Sequence, residues 1–213
     1  MAHNPLNQPP AEKGFEHVNR YFDPKINVWS AKILPGEFYV TTHGEMIGTV
    51  LGSCISACVR DVTLGIGGMN HFMLPIQNEH SSAQWGSDAN TSETRYGNWA
   101  MEYLLNTLYK MGCTKRNLEV KLFGGGQVLA SMTDIGQRNI LFAYDFLRKE
   151  GINVKAADVG DVYSRKILYF PDTGCVKVRR ITTTKNETII EREKGYLDSI
   201  RQHKDDSDIE LFD

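Results

Sequence analysis

At 213 residues the chain has room for one domain with a sizeable core plus tails, and two full domains would be cramped. Hydrophobic residues make up 41% and charged residues 23%, which excludes wholesale disorder. With 24 Lys and Arg against 26 Asp and Glu, the net charge of −2 argues against a general nucleic-acid binder.

Residues 1–28 are polar, carry Pro5, Pro9, Pro10 and Pro24, and read as a loose leader. The opening has neither the basic start nor the apolar stretch of a secretory signal. No apolar run approaches the roughly 20 residues of a membrane helix. The cytoplasm is therefore expected, with the four cysteines as free thiols and no membrane insertion. Strand character begins near Trp29 and runs through Phe38–Thr41, with Pro35-Gly36 as a turn. A second apolar block, Ile47 to Val59, is interrupted by Gly48 and Gly52, and a third, Gly65 to Leu74, stops at Pro75. Residues 77–94 are rich in Ser, Asn, Gln and Asp and read as a long surface loop.

The period then changes. Tyr96, Trp99, Ala100, Tyr103, Leu104, Leu108 and Met111 recur at helical steps, and Gly112 stops the helix. Leu118–Phe123 is a short strand leading into Gly124-Gly125-Gly126. A second helix is predicted over about 137–149, closed by Gly151. Strands follow at 152–157, 166–170 and 175–181, the last two joined by a turn at Pro171–Gly174. From Thr182 the chain is polar, and from Asp198 acidic. Its end, Ile209-Glu210-Leu211-Phe212, reads as a solvated tail or as a short docking motif. The organisation predicted is a leader at 1–28, a domain at 29–181 and a tail at 182–213. The fold class is α+β: a layered domain of packed mixed β-sheets flanked by two main helices.

The chemistry concentrates at Thr49-Val50-Leu51-Gly52-Ser53-Cys54. Gly52 permits a sharp turn through backbone angles closed to other residues. Cys54 then sits where a turn meets an apolar strand, a place where backbone N–H groups can converge as an oxyanion hole. A buried core thiol is the plain alternative. His43 and His71 are the histidines in strand-like surroundings, and His71 lies 17 residues after Cys54, one hairpin connection away. Adjacent strands lie about 4.8 Å apart, close enough for a Cys–His pair. Such a pair would exchange charge, the imidazolium lowering the thiol's pKa. Cys54 and Cys58 are spaced C-x₃-C without a second pair, so no metal is expected. The three glycines at 124–126 lack the phosphate-loop pattern. They let the backbone pass close to a neighbouring strand or a protein substrate.

Thr49–Cys54, Gly68-Met69-Asn70-His71-Phe72-Met73-Leu74-Pro75, Arg95-Tyr96-Gly97, Lys121–Gly125 and Ile135-Gly136-Gln137-Arg138-Asn139 occur in that order. Together they resemble the CheD family of chemoreceptor glutamine deamidases, over roughly Ile33 to Ile181. The resemblance implies a Cys54 nucleophile, a His71 base and a third catalytic threonine. That threonine maps onto Thr49, with Thr41 and Thr42 also upstream of the cysteine. It further implies a fold like the cytotoxic necrotizing factor catalytic domain, no cofactor, and a cysteine-dependent amidohydrolase that turns receptor glutamine into glutamate and ammonia. The partner would be the cytoplasmic domain of a methyl-accepting chemoreceptor. An adaptor that regulates a CheC-type phosphatase with little catalysis is the alternative. The sequence departs from the family pattern at Asp161, where a second glycine is common, at Gly126, where alanine is frequent, and in the length of 77–94.

Overall fold

Ten strands form in a computed structural model that describes residues 7–75, 92–128, 134–181 and 186–207. One sheet takes, in spatial order, β1 (Asn19–Asp23), β2 (Val28–Lys32), β4 (Met46–Leu51), β9 (Ser164–Phe170) and β10 (Cys175–Ile181). The other takes β3 (Phe38–Thr41), β6 (Gly67–Asn70), β5 (Ile55–Asp61), β7 (Leu118–Gly124) and β8 (Val154–Val159). Both are mixed. β2 runs parallel to β4, β7 runs parallel to β8, and the remaining neighbours are antiparallel. The helices are α1 (Ser92–Lys110), α2 (Asp134–Lys149) and α3 (Asn186–Ser207). The class is α+β, as the alternation of period-2 and period-3.6 segments predicts.

α1 and α2 pack on the second sheet, where Leu104, Leu108, Ala143 and Leu147 are fully buried. Trp99 and Tyr103, read with the apolar face of α1, lie at its edge. Each is nearly half exposed, and their rings meet at a tilt of 40° with centroids 4.5 Å apart. The third helix was not predicted, because α3 falls in the stretch read as polar tail. The docking motif at 209–212 lies outside the described residues, as does most of the 77–94 loop, whose end from Ser92 already belongs to α1.

The stretch read as a leader contributes to the fold. β1 pairs with β2 from Asn19↔Lys32 to Asp23↔Val28, and Phe15 is buried edge-on against Phe38 and Tyr39. Burying a phenylalanine is worth roughly 1.5–3 kcal/mol. Arg20 adds a buried ion pair to Glu45 at 2.7 Å. Because β1's side chains are only partly buried, it carries no clean alternation to find in the sequence.

The apolar block Ile47–Val59 is two strands, and they belong to different sheets. Gly52-Ser53-Cys54 is the crossover between them, anchored by fully buried Leu51 and Ile55. Gly124-Gly125-Gly126, at the end of β7, wraps this crossover. Gly124 has φ of 110°, and a Cβ there would lie 2.2 Å from the Cys54 carbonyl oxygen.

Gly124→Ala should therefore cost at least about 2 kcal/mol, from backbone strain and displacement of the Cys54 loop together. Gly195→Ala, on the open face of α3, meets nothing within 4 Å among the described residues and should stabilise by up to about 1 kcal/mol through helix propensity. Urea midpoints of the two variants check this contrast. A neutral Gly124→Ala would mean that the loop is not held by close approach.

Candidate active site

The crossover is tied down by its carbonyls. Gly52 O accepts the N–H of Gly126 at 2.8 Å, and Cys54 O accepts the N–H of Gly125 at 2.7 Å. Ser53 O accepts Asn139 Nδ2–H at 2.8 Å. With three successive carbonyls drawn to one side, the three N–H groups converge on the other. All three donate to one carboxylate, that of Glu193 on α3. Gly52 N lies 2.8 Å and Cys54 N 3.1 Å from Oε1, and Ser53 N lies 2.9 Å from Oε2. The Ser53 hydroxyl donates to Oε2 as well. Convergent N–H groups of this kind bind anions. Gly52 plays a different part from the one its sequence context suggests. It is absent from the residues with positive φ, and a Cβ there would lie 2.8 Å from both Glu193 oxygens. Its missing side chain makes room for the carboxylate.

Two asparagines place His71, which directly follows β6. Asn70 Oδ1 accepts the Ala57 N–H at 2.8 Å, and its Nδ2 donates to Ala100 O at 3.1 Å. Asn139 Oδ1 accepts the Leu74 N–H at 2.8 Å. Asn139 thus joins the Cys54 loop to the segment after His71. The β5–β6 register, Cys58↔Met69 with the bridge Ile55↔Phe72, sets Cys54 diagonal to His71 rather than opposite it. Diagonal pairs on one face remain within side-chain reach. Cys54 Sγ, a ring nitrogen of His71 and a Glu193 oxygen lie within 4.8 Å of one another, all buried.

The hydrogen bonds fix the tautomer of His71. Thr49 Oγ1 lies 2.8 Å from Ile33 O and 2.8 Å from His71 Nδ1. A carbonyl can only accept, so the single hydroxyl proton goes to Ile33 and Nδ1–H must donate to Thr49. Nε2 is left with its lone pair, buried and, among the described residues, without a hydrogen-bond partner. The other two upstream threonines are engaged elsewhere. Thr41 Oγ1 donates to Glu45 at 2.9 Å, and Thr42 bonds Glu12. His43 is exposed beside Glu12. Cys58 is buried in β5 and stands outside the group around Cys54.

Burial pushes the His71 pKa down to about 3, so the imidazole is neutral. Cys54 is raised well above the ordinary thiol value. Burial is the largest cause, followed by the charge of Glu193 and its hydrogen bond with the thiol. The expected imidazolium–thiolate exchange is therefore reversed here: both partners are neutral. Sulfur, nitrogen and oxygen donors at this spacing also suit zinc. Each Glu193 oxygen, however, already accepts two hydrogen bonds from the loop.

A family profile described as CheD chemotactic sensory transduction matches residues 73–180. The chain is 51% identical over 199 residues to a probable chemoreceptor glutamine deamidase CheD of Halorhodospira halophila, covering 93% of this chain and 92% of that protein. It is 50% identical over 195 residues to the protein of the same name from Hydrogenovibrio crunogenus, covering 92% and 100%. With that of Saccharophagus degradans it shares 48% over 205 residues, 95% and 94% of the two chains. The chain belongs to the CheD family.

Of the residues that carry the resemblance, Thr49, Cys54, His71 and Asn139 lie together in this CheD chain. Glu193 was missed. It stood in the stretch read as tail, although Ile189, Ile190, Tyr196 and Leu197 flank it at helical spacing. Asp161 has φ of 66°, which explains why a glycine suits its position.

The buried neutral histidine has a pH signature. Between its unfolded value near 6.5 and about 3, the unfolded chain binds a proton that the folded chain refuses. This share of stability is complete above 6.5 and is lost as pH falls toward 3. Urea midpoints of His71→Asn should therefore fall less steeply with acid across this window than those of wild type. Parallel profiles would show that His71 is not held neutral.

Proposed function

We propose that the chain hydrolyses glutamine side chains to glutamate on methyl-accepting chemoreceptors, releasing ammonia. Cys54 acts as nucleophile, His71 as base and Thr49 as the group that orients the imidazole. The observation that carries this reading is the pocket of three N–H groups beside the Cys54 sulfur and the free Nε2 of His71. In that pocket the substrate amide oxygen takes the N–H bonds. His71 Nε2 accepts the thiol proton as the sulfur attacks the amide carbon. The tetrahedral oxyanion is held by the loop, where one lost donor typically costs about 10²–10³ in kcat. The C–N bond then breaks, and the nitrogen leaves as ammonia with the proton from His71. A water, deprotonated by the same nitrogen, opens the thioester to glutamate, and the sulfur recovers its proton. Nδ1–H stays on Thr49 throughout, as the orienting member does in other triads.

The relatives' names supply the receptor as substrate. Among the described residues no helix is long and apolar enough to cross a membrane, and we place the activity in the cytoplasm, against the receptor's cytoplasmic domain. We read the packed mixed sheets as the arrangement of the cytotoxic necrotizing factor catalytic domain. A CheC-type phosphatase is a second partner in this reading. A purely adaptor role is the weaker alternative, because it would not need a complete Thr–His–Cys cluster.

Cys54→Ala should abolish conversion of receptor Gln to Glu, read by mass spectrometry on a recombinant receptor cytoplasmic domain, while circular dichroism stays unchanged. Cys58→Ala should retain the activity. Substantial conversion by the folded Cys54→Ala protein would defeat the assignment. Thr49→Val should lower kcat about tenfold or more, because Nδ1–H loses its acceptor and a buried donor left unpaired costs about 1–3 kcal/mol.

A further inference from the structure

We propose that α3 lies in the groove that receives the substrate helix, with Glu193 standing as the product side chain. The site then takes glutamine from a helix that carries apolar residues four positions to either side. This deepens the deamidase reading above and rests on it.

Glutamate is what glutamine becomes in the reaction, and Glu193 delivers its carboxylate from a helix into the N–H pocket, within 4.8 Å of the sulfur and the imidazole. The residues around it form one stripe. Ile189 and Leu197, at i−4 and i+4, are buried, and Tyr196 lies against Gly36 with its hydroxyl bonded to that of Tyr96. Glu191, Arg192, Lys194 and Gly195 face solvent. A single buried stripe at i−4, i and i+4 is how an amphipathic helix lies in a groove. Here the groove floor is the loop at 34–36 and the crossover at 52–54, with the aromatic end of α1 at its side.

Charge makes this occupant an inhibitor. The Glu193 anion satisfies three N–H groups and holds the thiol in its protonated form. A neutral glutamine amide in its place removes the charge of Glu193 from the causes that raise Cys54. The amide cannot fill the pocket as the carboxylate does, since its NH₂ cannot accept from Ser53 N–H. Its oxygen, in the place of Oε1, keeps the N–H groups of Gly52 and Cys54, and its nitrogen swings away from Ser53 N–H toward His71 Nε2. Glu193→Gln is thereby a substrate in cis. The Cys54 sulfur bonds to the side-chain carbon, ammonia leaves, and water restores the thiol and leaves glutamate at position 193.

The test uses full-length Glu193→Gln, alone and combined with Cys54→Ala, with the peptide spanning position 193 read by mass spectrometry. Wild type and Glu193→Ala are assayed in parallel on a receptor cytoplasmic domain. We expect the introduced glutamine to be converted to glutamate in the single variant and retained in the double variant, and Glu193→Ala to deamidate the receptor faster than wild type. Equal conversion with and without Cys54 is spontaneous chemistry and overturns the inference. An introduced glutamine that stays intact in a protein set that still deamidates the receptor overturns the inference and spares the deamidase reading. An intact glutamine with no receptor deamidation by any variant sinks both. Cys54-dependent conversion at position 193 without receptor deamidation upholds the groove assignment and removes the receptor as its substrate.

Discussion

Three hydrogen bonds to the carbonyls of Gly52, Ser53 and Cys54 set everything else at the site. A backbone crossing from one sheet to another has no ladder to satisfy it, so its polar groups need other partners. Here Gly126, Asn139 and Gly125 take the carbonyls, and the amides are left to converge on the far side. The anion pocket is the complement of a structural requirement rather than a separate feature. The sheets need a crossover, the crossover needs donors, and donors on one face leave acceptors wanted on the other. The glycines at 124 and 125 allow the donors to come this close, through positive φ and the absence of a Cβ.

Much of this was legible in the sequence because it was local. Glycines before a cysteine, an apolar strand ending in a histidine, and a glycine run after a strand each carry their reason within a few residues. Thr49 came from the resemblance alone; that it, and not Thr41 or Thr42, bonds His71 follows from the register of β4 beside the Ile33 carbonyl, which no spacing rule supplies. Gly52 was found for the wrong reason: its pattern suggested a backbone conformation, whereas its use is the space it leaves for a side chain from 141 residues away in sequence. Such contacts leave no periodic trace. β1 and α3 were passed over for the same kind of reason. Each buries only one narrow side, so composition reads them as polar flanks, although the pairs Arg20–Glu45 and Glu193–Ser53 fasten them to the domain.

Those two flanking elements close the domain differently. The β1 side brings Phe15 and Val18 into the core and a paired arginine beneath β3, so its attachment is mainly apolar with one buried ion pair. α3 brings Ile189 and Leu197 into the core, packs the partly buried Ile190 and Tyr196 against it, and sets one carboxylate in a polar pocket. Local stability follows buried apolar contact. An element whose carboxylate fills a pocket that accepts another carboxylate or an amide is the one that competition can release.

Dryness decides how such a pair can work. In water a thiol and an imidazole exchange a proton with little penalty, and the resulting ion pair keeps the sulfur reactive below the ordinary thiol pKa. Inside this site burial opposes charge on both partners, driving His71 down to about 3 and Cys54 upward. A resting thiolate would be expensive, and a resting imidazolium equally so. The proton therefore has reason to leave sulfur only when the sulfur's developing charge has somewhere to go. In the proposed reaction that place is the amide oxygen, to which the three N–H groups of the crossover would donate. In that proposal the backbone pocket does two jobs with one geometry: it stabilises the anion once formed, and it makes deprotonation of the thiol contingent on an acceptor being present. In the proposed reaction, reactivity is confined to the moment when an amide fills the pocket, and the buried cysteine is shielded from other electrophiles by the same burial that holds its histidine neutral.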